Sequence, residues 1–202
     1  MLDLIQREGE VLPLVDAELC YWSQVELGSR PDQLLQDLID TTDWCQETIT
    51  VYGKPYLQPR LSAWFGNCSY RYSGITLTPN PWTPTLLKLK HQVEVLAKHE
   101  FNSVLLNYYR DGNDSMGMHS DDERELGPEP VIASLSLGVT RHFTMRHKSR
   151  KDLQTLKLPL DSGSLLIMRG QTQRHWRHGI SKSKQISEPR INLTFRKVFA
   201  ST

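Results

Sequence analysis

The stretch Asn107–Asp122, NYYRDGNDSMGMHSDD, decides how the second half of this chain folds. A strand-like run ends at Tyr109, a loop of Asp, Gly, Asn and Ser follows, and a second short run, Met116–His119, leads into acids. Turn-forming residues between two such runs read as strand, turn, strand. His119 and Asp121 stand two apart at the end of the second strand, and side chains two apart in extended chain point the same way. A close His-x-Asp pair with a distant second imidazole is the ligand set of a 2-His-1-carboxylate facial triad. Such a triad suits non-haem Fe(II), because three protein ligands on one face leave the opposite positions open.

Downstream, QRHWRHGI offers two histidines for the remaining place, His175 and His178. Being three apart, on a strand they would face opposite sides of the sheet, so only one of them would join the pair. Position alone does not choose. The His-x-Asp triplet is also weak by itself, since an acidic turn solvating a strand end looks the same.

Everything past Phe101 reads as strand: Ser103–Tyr109, Met116–His119, Val131–Leu137, His142–His147, Thr155–Pro159, Ser164–Met168, Trp176–Ile180 and Ile191–Val198. Short strands separated by turns imply a double-stranded β-helix, or jelly roll, whose two sheets bury their inward-facing residues. Upstream, Pro31 opens a helix with Leu34, Leu35, Leu38 and Ile39 at helical spacing. Thr83 caps a second helix, with Pro84 in its first turn and Leu86, Leu89, Val93, Leu96 and Ala97 on one face. Residues 1–28 read as irregular, with one short strand from Ala17 to Leu27. The fold class expected is α+β, mainly β: a jelly-roll core with two supporting N-terminal helices. A support segment over 1–48, a lid and support helix over 49–101 and the core over 102–199 would form one compact domain.

Composition narrows the function classes. Lys+Arg 24 against Asp+Glu 23 leaves a net charge of +1, so nucleic-acid binding would have to come from local patches. Two such patches are Arg141, Arg146, Lys148, Arg150, Lys151 and Lys157, and Arg174, Arg177, Lys182 and Lys184. Cys20, Cys45 and Cys68 are widely spaced and form no metal-binding pair, which fits thiols in a reducing compartment. The N-terminus lacks the basic and apolar blocks of a secretory signal, and no apolar run has the length of a membrane span. The expectation is an intracellular monomer with no membrane contact, cytoplasmic if bacterial and nuclear if eukaryotic.

The ordered series NYYRDGNDSMGMHSDDE, PVIASLSLG, RHFTMRHK, LPLDSGSLLIMRG, HWRHGI and PRINLTFRK resembles the AlkB family of Fe(II)- and 2-oxoglutarate-dependent dioxygenases, most closely the branch that repairs alkylated bases in duplex DNA. The resemblance runs from about Ile49 to Val198. It implies that His119, Asp121 and His178 hold Fe(II), and so selects His178 over His175. It implies that Asn107, Tyr109, Arg190, Asn192, Thr194 and Arg196 bind the cosubstrate. These residue types suit a dicarboxylate, which needs fixed donors, and Arg presents a planar fork that pairs with a carboxylate. Arg190, Asn192, Thr194 and Arg196 also share one strand parity, so all four can face one pocket.

For the nucleotide, the resemblance points to Asp122 beside the base and to a hairpin tip at Tyr52, Gly53 and Lys54 that inserts into the base stack. Tyr52 stands where relatives commonly carry Phe. It also points to a lid segment at Tyr70, Arg71 and Tyr72, whose rings could stack on the base. The activity implied is oxidative demethylation of N-alkylated nucleobases in DNA, of the 1-methyladenine and 3-methylcytosine type. It would use Fe(II), 2-oxoglutarate and oxygen and release succinate, carbon dioxide and formaldehyde. Two other readings stay open: the same chemistry on RNA or a protein side chain, and a non-catalytic jelly-roll binding module.

Overall fold

A computed structural model of the chain describes residues 9–51, 53–67, 70–72, 75–77 and 79–199, with backbone alone at 50–51, 70–72 and 75–77. Two strands, β1 (Glu10–Leu12) and β2 (Glu18–Trp22), precede helix α1 (Pro31–Thr41). The hairpin β3 (Thr48–Val51) and β4 (Lys54–Leu57), strand β5 (Leu61–Gly66), and the hairpin β6 (Tyr70–Tyr72) and β7 (Ile75–Leu77) follow. Helix α2 (Pro84–Ala97) leads to β8 (Ser103–Tyr109), β9 (Met116–His119), β10 (Ile132–Gly138), β11 (Arg141–His147), β12 (Leu156–Leu160) and β13 (Leu165–Arg169). A short helix α3 (Thr172–His175), β14 (Trp176–Ile180) and β15 (Arg190–Arg196) complete the chain.

The larger sheet runs β1-β2-β13-β10-β15-β8-β5 and the smaller β12-β11-β14-β9. Strands β8 to β15 therefore divide evenly between two facing sheets, the jelly roll expected from their number and spacing. The strands SVLLNYY, IASLSLG and RINLTFR are buried along nearly their whole length because both of their faces are covered. Alternate residues feed two cores. Val104, Leu106, Leu135, Ile191 and Leu193 face outward onto the helices, together with Leu34 and Leu38 of α1 and Leu86, Leu89 and Val93 of α2. Leu105, Ile132, Leu166 and Met168 face inward and meet Phe143, Met145, Leu160, Trp176 and Ile180 from the smaller sheet.

Local chemistry sets the helix boundaries. Pro31 and Pro84 occupy first-turn positions, where a missing N–H costs nothing. Thr83 Oγ1 accepts from the Leu86 amide at 3.2 Å, and α2 ends where Lys98 turns left-handed at φ +47°.

Two expectations need correction. The strand expected over Ala17–Leu27 is β2 and spans only Glu18–Trp22, because the chain leaves the sheet at Ser23 and buries Val25 and Leu27 beside the helices. Strand β1 is too short to carry a periodic signal. His175 lies in helix α3 and not on a strand, so the opposite-face argument does not apply to it. Strand β15 lies between β10 and β8, inside the larger sheet, as its pocket-facing parity requires.

Candidate metal and cosubstrate site

Strands β9 and β14 pair antiparallel with His119 opposite His178, and their ring centroids lie 4.4 Å apart. Past β9 the chain turns inward, and Asp121 becomes 1% exposed. Its backbone amide donates to Gln173 Oε1 at 2.9 Å, which ties the turn to α3. Asp121 Oδ1 lies 4.0 Å from His119 Nε2, and Oδ2 lies 3.8 Å from His178 Nε2. Three ligand atoms at these separations can share one ion.

Among the described residues a second group, Asp16, His147 and His175, is equally close in space. Tautomers separate the two. His119 Nδ1 lies 2.9 Å from the Gly117 carbonyl, so Nδ1 carries the proton and Nε2 offers a lone pair. His147 Nδ1 instead accepts the Arg150 amide at 2.9 Å, so its proton sits on Nε2 and points at Asp16 Oδ2, 3.2 Å away. The first group is built to hold a metal, and the second is a hydrogen-bonded His–Asp pair.

Electrostatics favour a cation at the first group. Burial pushes the Asp121 carboxyl up, but the Arg196 guanidinium and then the two imidazoles outweigh it and hold it at about 2. Burial, helped by the neighbouring His119, pushes His178 down to about 3. At neutral pH the site thus presents an ionised carboxylate and a neutral His178, the forms in which these side chains ligate.

Next to this face lies a polar layer on the larger sheet. Register places Asn107 opposite Asn192 and Tyr109 opposite Arg190, while Ser134 and Ser136 of β10 stand opposite Thr194 and Asn192. Arg190 is 1% exposed and donates from Nη2 to Ser136 Oγ at 2.9 Å. Its Nε and Nη1 find no hydrogen-bond partner among the described residues. Burial pulls its pKa down to about 10, so it stays charged, 5.3 Å from the Tyr109 ring centroid. A buried guanidinium with spare donors is costly unless an anion completes it. One cavity takes in Asn107, Tyr109, Arg190, Asn192, Thr194 and Arg196 together with His119, Asp121 and His178.

A family model described as the 2OG-Fe(II) oxygenase superfamily matches residues 27–196. Over a 208-residue alignment the chain is 42% identical to the human alpha-ketoglutarate-dependent dioxygenase alkB homolog 3, covering 97% of this chain and 73% of that protein. The chain belongs to the AlkB family of 2OG-Fe(II) oxygenases. It is also similar to the bovine alkB homolog 3, at 48% identity over 83% of this chain and 62% of that protein's length. The human DNA oxidative demethylase ALKBH2 is 39% identical over 89% of this chain and 73% of its own. The solved structure of OsALKBH1 shares the fold, with a TM-score of 0.60 and 18% identity over 93% of this chain and 100% of that one.

Fe(II) and 2-oxoglutarate, the pair the AlkB family uses, fit the donor set described above: a histidine with Nε2 free, an ionised carboxylate, and a buried Arg fork with open N–H groups. Gly53, Lys54 and Asp122, expected to contact the nucleotide, do not line this cavity. Tyr52 lies outside the described residues, and Tyr70, Arg71 and Tyr72 form β6, of which the backbone alone is described. Gly53 and Lys54 sit at the β3–β4 hairpin, where Gly53 at φ +76° supplies the left-handed turn residue. Asp122 is on the surface beside Asp121 and pairs with Lys148 at 3.0 Å.

Some of the surrounding residues are not evident from sequence. Met116, Ser134, Phe143 and Met168 line the cavity, and Arg60 Nε donates to Asn107 Oδ1 at 2.7 Å. Ser134 and Ser136 carry a usable signal, being two polar residues of one parity in an otherwise apolar buried strand. Arg141, expected in a surface patch, needs correction: it is 2% exposed and donates to the carbonyls of Asp111, Asp114 and Ser181. No helix among the described residues is long and apolar enough to cross a membrane. Cys20 and Cys45 are free thiols.

Proposed function

We propose that the chain is a dioxygenase that oxidatively removes alkyl groups from N-alkylated nucleobases in DNA, of the 1-methyladenine and 3-methylcytosine type. The carrying observation is the adjacency of two donor sets in one cavity: His119, Asp121 and His178 for Fe(II), and the buried Arg190 fork for the far carboxylate of 2-oxoglutarate. The names of the relatives, a dioxygenase and a DNA oxidative demethylase, supply the substrate class.

When bound, Fe(II) and 2-oxoglutarate supply the oxidising chemistry: one oxygen atom of O2 enters succinate as carbon dioxide leaves, and the other hydroxylates the N-alkyl carbon, which departs from a methyl lesion as formaldehyde. The chain's own residues prepare that reaction. Gly117 O fixes the His119 tautomer so that Nε2 faces the metal position. Arg196 donates to Asp121 Oδ1 and holds the carboxylate ionised and oriented. Arg190 binds the distal carboxylate in two hydrogen bonds, with Asn107, Tyr109, Asn192 and Thr194 as further polar contacts. Burial of this layer excludes water from the charged end of the cosubstrate. Asp122, at the surface beside the metal ligands, accepts from an exocyclic amino group of the extruded base. The hairpins β3–β4 and β6–β7 carry the residues that handle a flipped nucleotide, since chemistry on a stacked base is out of reach.

The test is formaldehyde release and mass spectrometry on methylated single-stranded DNA, duplex DNA and RNA oligonucleotides, with iron and 2-oxoglutarate. Loss of the methyl group from DNA supports the reading. Turnover confined to RNA moves the substrate class, and succinate formation with no nucleic-acid product removes it. Anaerobic addition of Fe(II) and 2-oxoglutarate is expected to give a visible charge-transfer band. Absence of that band together with absence of succinate in air would leave a binding module.

A further inference from the structure

Asp122 does not stand alone at the mouth. Lys148 Nζ donates to Asp122 Oδ2 at 3.0 Å and to the Gln173 carbonyl at 2.8 Å. The Lys148 amide also donates to the His175 carbonyl at 2.7 Å, continuing the β11–β14 pairing past the ends of both strands. The side chain is thus held at both ends by α3, the element whose Gln173 side chain fixes the Asp121 amide. An exposed lysine that merely drifts near an acid lacks such an anchor, because its long side chain gives up entropy to hold one geometry. Here the backbone carbonyl fixes the ammonium, and the ammonium fixes the charge beside the base position.

The consequence concerns which bases enter. A bare carboxylate at the mouth favours a cationic base and disfavours burying a neutral one beside an uncompensated charge. A carboxylate already paired with an ammonium presents almost no net charge, while its second oxygen can still accept a hydrogen bond. We propose that Lys148 is a specificity-determining residue which, by neutralising Asp122, opens the site to neutral N-alkylated bases as well as cationic ones. This rests on the reading of Asp122 as the base-facing acid of a demethylase. Lys148 acts on the base through Asp122; its side-chain hydrogen bonds go to Asp122 and the Gln173 carbonyl and not to the metal or cosubstrate residues, although its charge is felt at His178.

The experiment compares two oligonucleotides of one sequence, carrying either cationic 1-methyladenine or neutral 1-methylguanine, each of which keeps an exocyclic amino group. Both kcat and KM are measured for the parent protein, Lys148→Met, Lys148→Gln, Lys148→Arg, Asp122→Asn and the double variant Asp122→Asn/Lys148→Met. The parent is expected to turn over both lesions. Lys148→Met and Lys148→Gln raise the cationic-to-neutral ratio of kcat/KM by about threefold, the scale of a partly exposed ion pair, and the change lies in KM. Lys148→Arg restores the parental ratio. In the Asp122→Asn background the Lys148 substitution no longer moves it, since the coupling has lost one partner.

A lysine that only held phosphate would lower both substrates together and leave the ratio untouched, and that result overturns the proposal. So does a ratio shift that persists without the Asp122 charge. Turnover of methylated DNA with an unmoved ratio defeats the Lys148 role alone. If the parent, with iron and 2-oxoglutarate, demethylates neither oligonucleotide, the demethylase reading fails and this proposal with it.

Discussion

Arg196 Nη2 donates to Asp121 Oδ1 at 2.7 Å, joining the last strand of the larger sheet to the loop that leaves β9. Strand parity and the family resemblance lead us to expect Arg196 at the cosubstrate, and it lines the same cavity. In the fold it also neutralises a carboxylate of the metal face, and neither side chain is more than 2% exposed. Breaking a buried pair by removing one partner is costly, because the other charge stays behind without solvent. Arg196→Ala is therefore expected to lower the stability of the metal-free protein by about 3 kcal/mol and to weaken iron binding. Urea unfolding and iron titration measure the two effects separately.

Acid should unfold the metal-free protein early. His178 has its folded pKa lowered from 6.5 to about 3, so the unfolded chain takes up that proton first. Its contribution is whole above pH 6.5 and is lost as pH falls toward 3. Asp121, lowered from 3.8 to about 2, adds a further loss below pH 3.8. Denaturant midpoints of metal-free protein should fall steadily from pH 6.5 downward. Flat midpoints between pH 6.5 and 4 would show that His178 is not held neutral by its burial.

Arg190→Lys should not behave as a conservative change. Arg190 leaves Nε and Nη1, on two edges of its planar guanidinium, without partners among the described residues, and an ammonium reproduces neither donor direction. The expected result is a rise in KM for 2-oxoglutarate on the order of 30-fold, from loss of about 2 kcal/mol of charged hydrogen bonding. Iron binding should be unchanged. A KM within twofold of the parent would remove Arg190 from the cosubstrate site.

Gly112, in the NYYRDG segment, is where two loops meet at close quarters. A Cβ there would lie 1.7 Å from the Ser183 carbonyl oxygen, and Gly112 exchanges backbone hydrogen bonds with Ser183 and Ile186. Gly112→Ala must push the 181–189 loop away. Faster proteolytic cleavage in that loop is expected, with a stability loss on the order of 2 kcal/mol for the displaced contacts. Equal cleavage rates would mean that the loops part without cost.

The two histidine clusters make opposite predictions for metal content. His178→Ala should abolish tight iron binding, whereas His147→Ala should leave its stoichiometry unchanged, because His147 Nε2 carries a proton for Asp16. Metal analysis after dialysis decides between them. Iron lost from the His147 variant would reverse the assignment.

Much of this fold is legible in the order of its residues, because strand and helix positions are local properties. Periodicity is why Ser103–Tyr109, Met116–His119 and Trp176–Ile180 can be read to the residue. The shared parity of Arg190, Asn192, Thr194 and Arg196 likewise put one face on one cavity. What the order of residues could not contain is which strand lies beside which. The pairing of β9 with β14 sets His178 against His119, and a helical turn carries His175 away to stack on His147. Three-dimensional neighbours alone decided which imidazole nitrogen keeps its proton, that Arg141 is buried, and that Lys148 sits on Asp122. Hydrogen-bond partners and desolvation act over a few ångströms of space, and those few ångströms bring together residues that the chain keeps far apart.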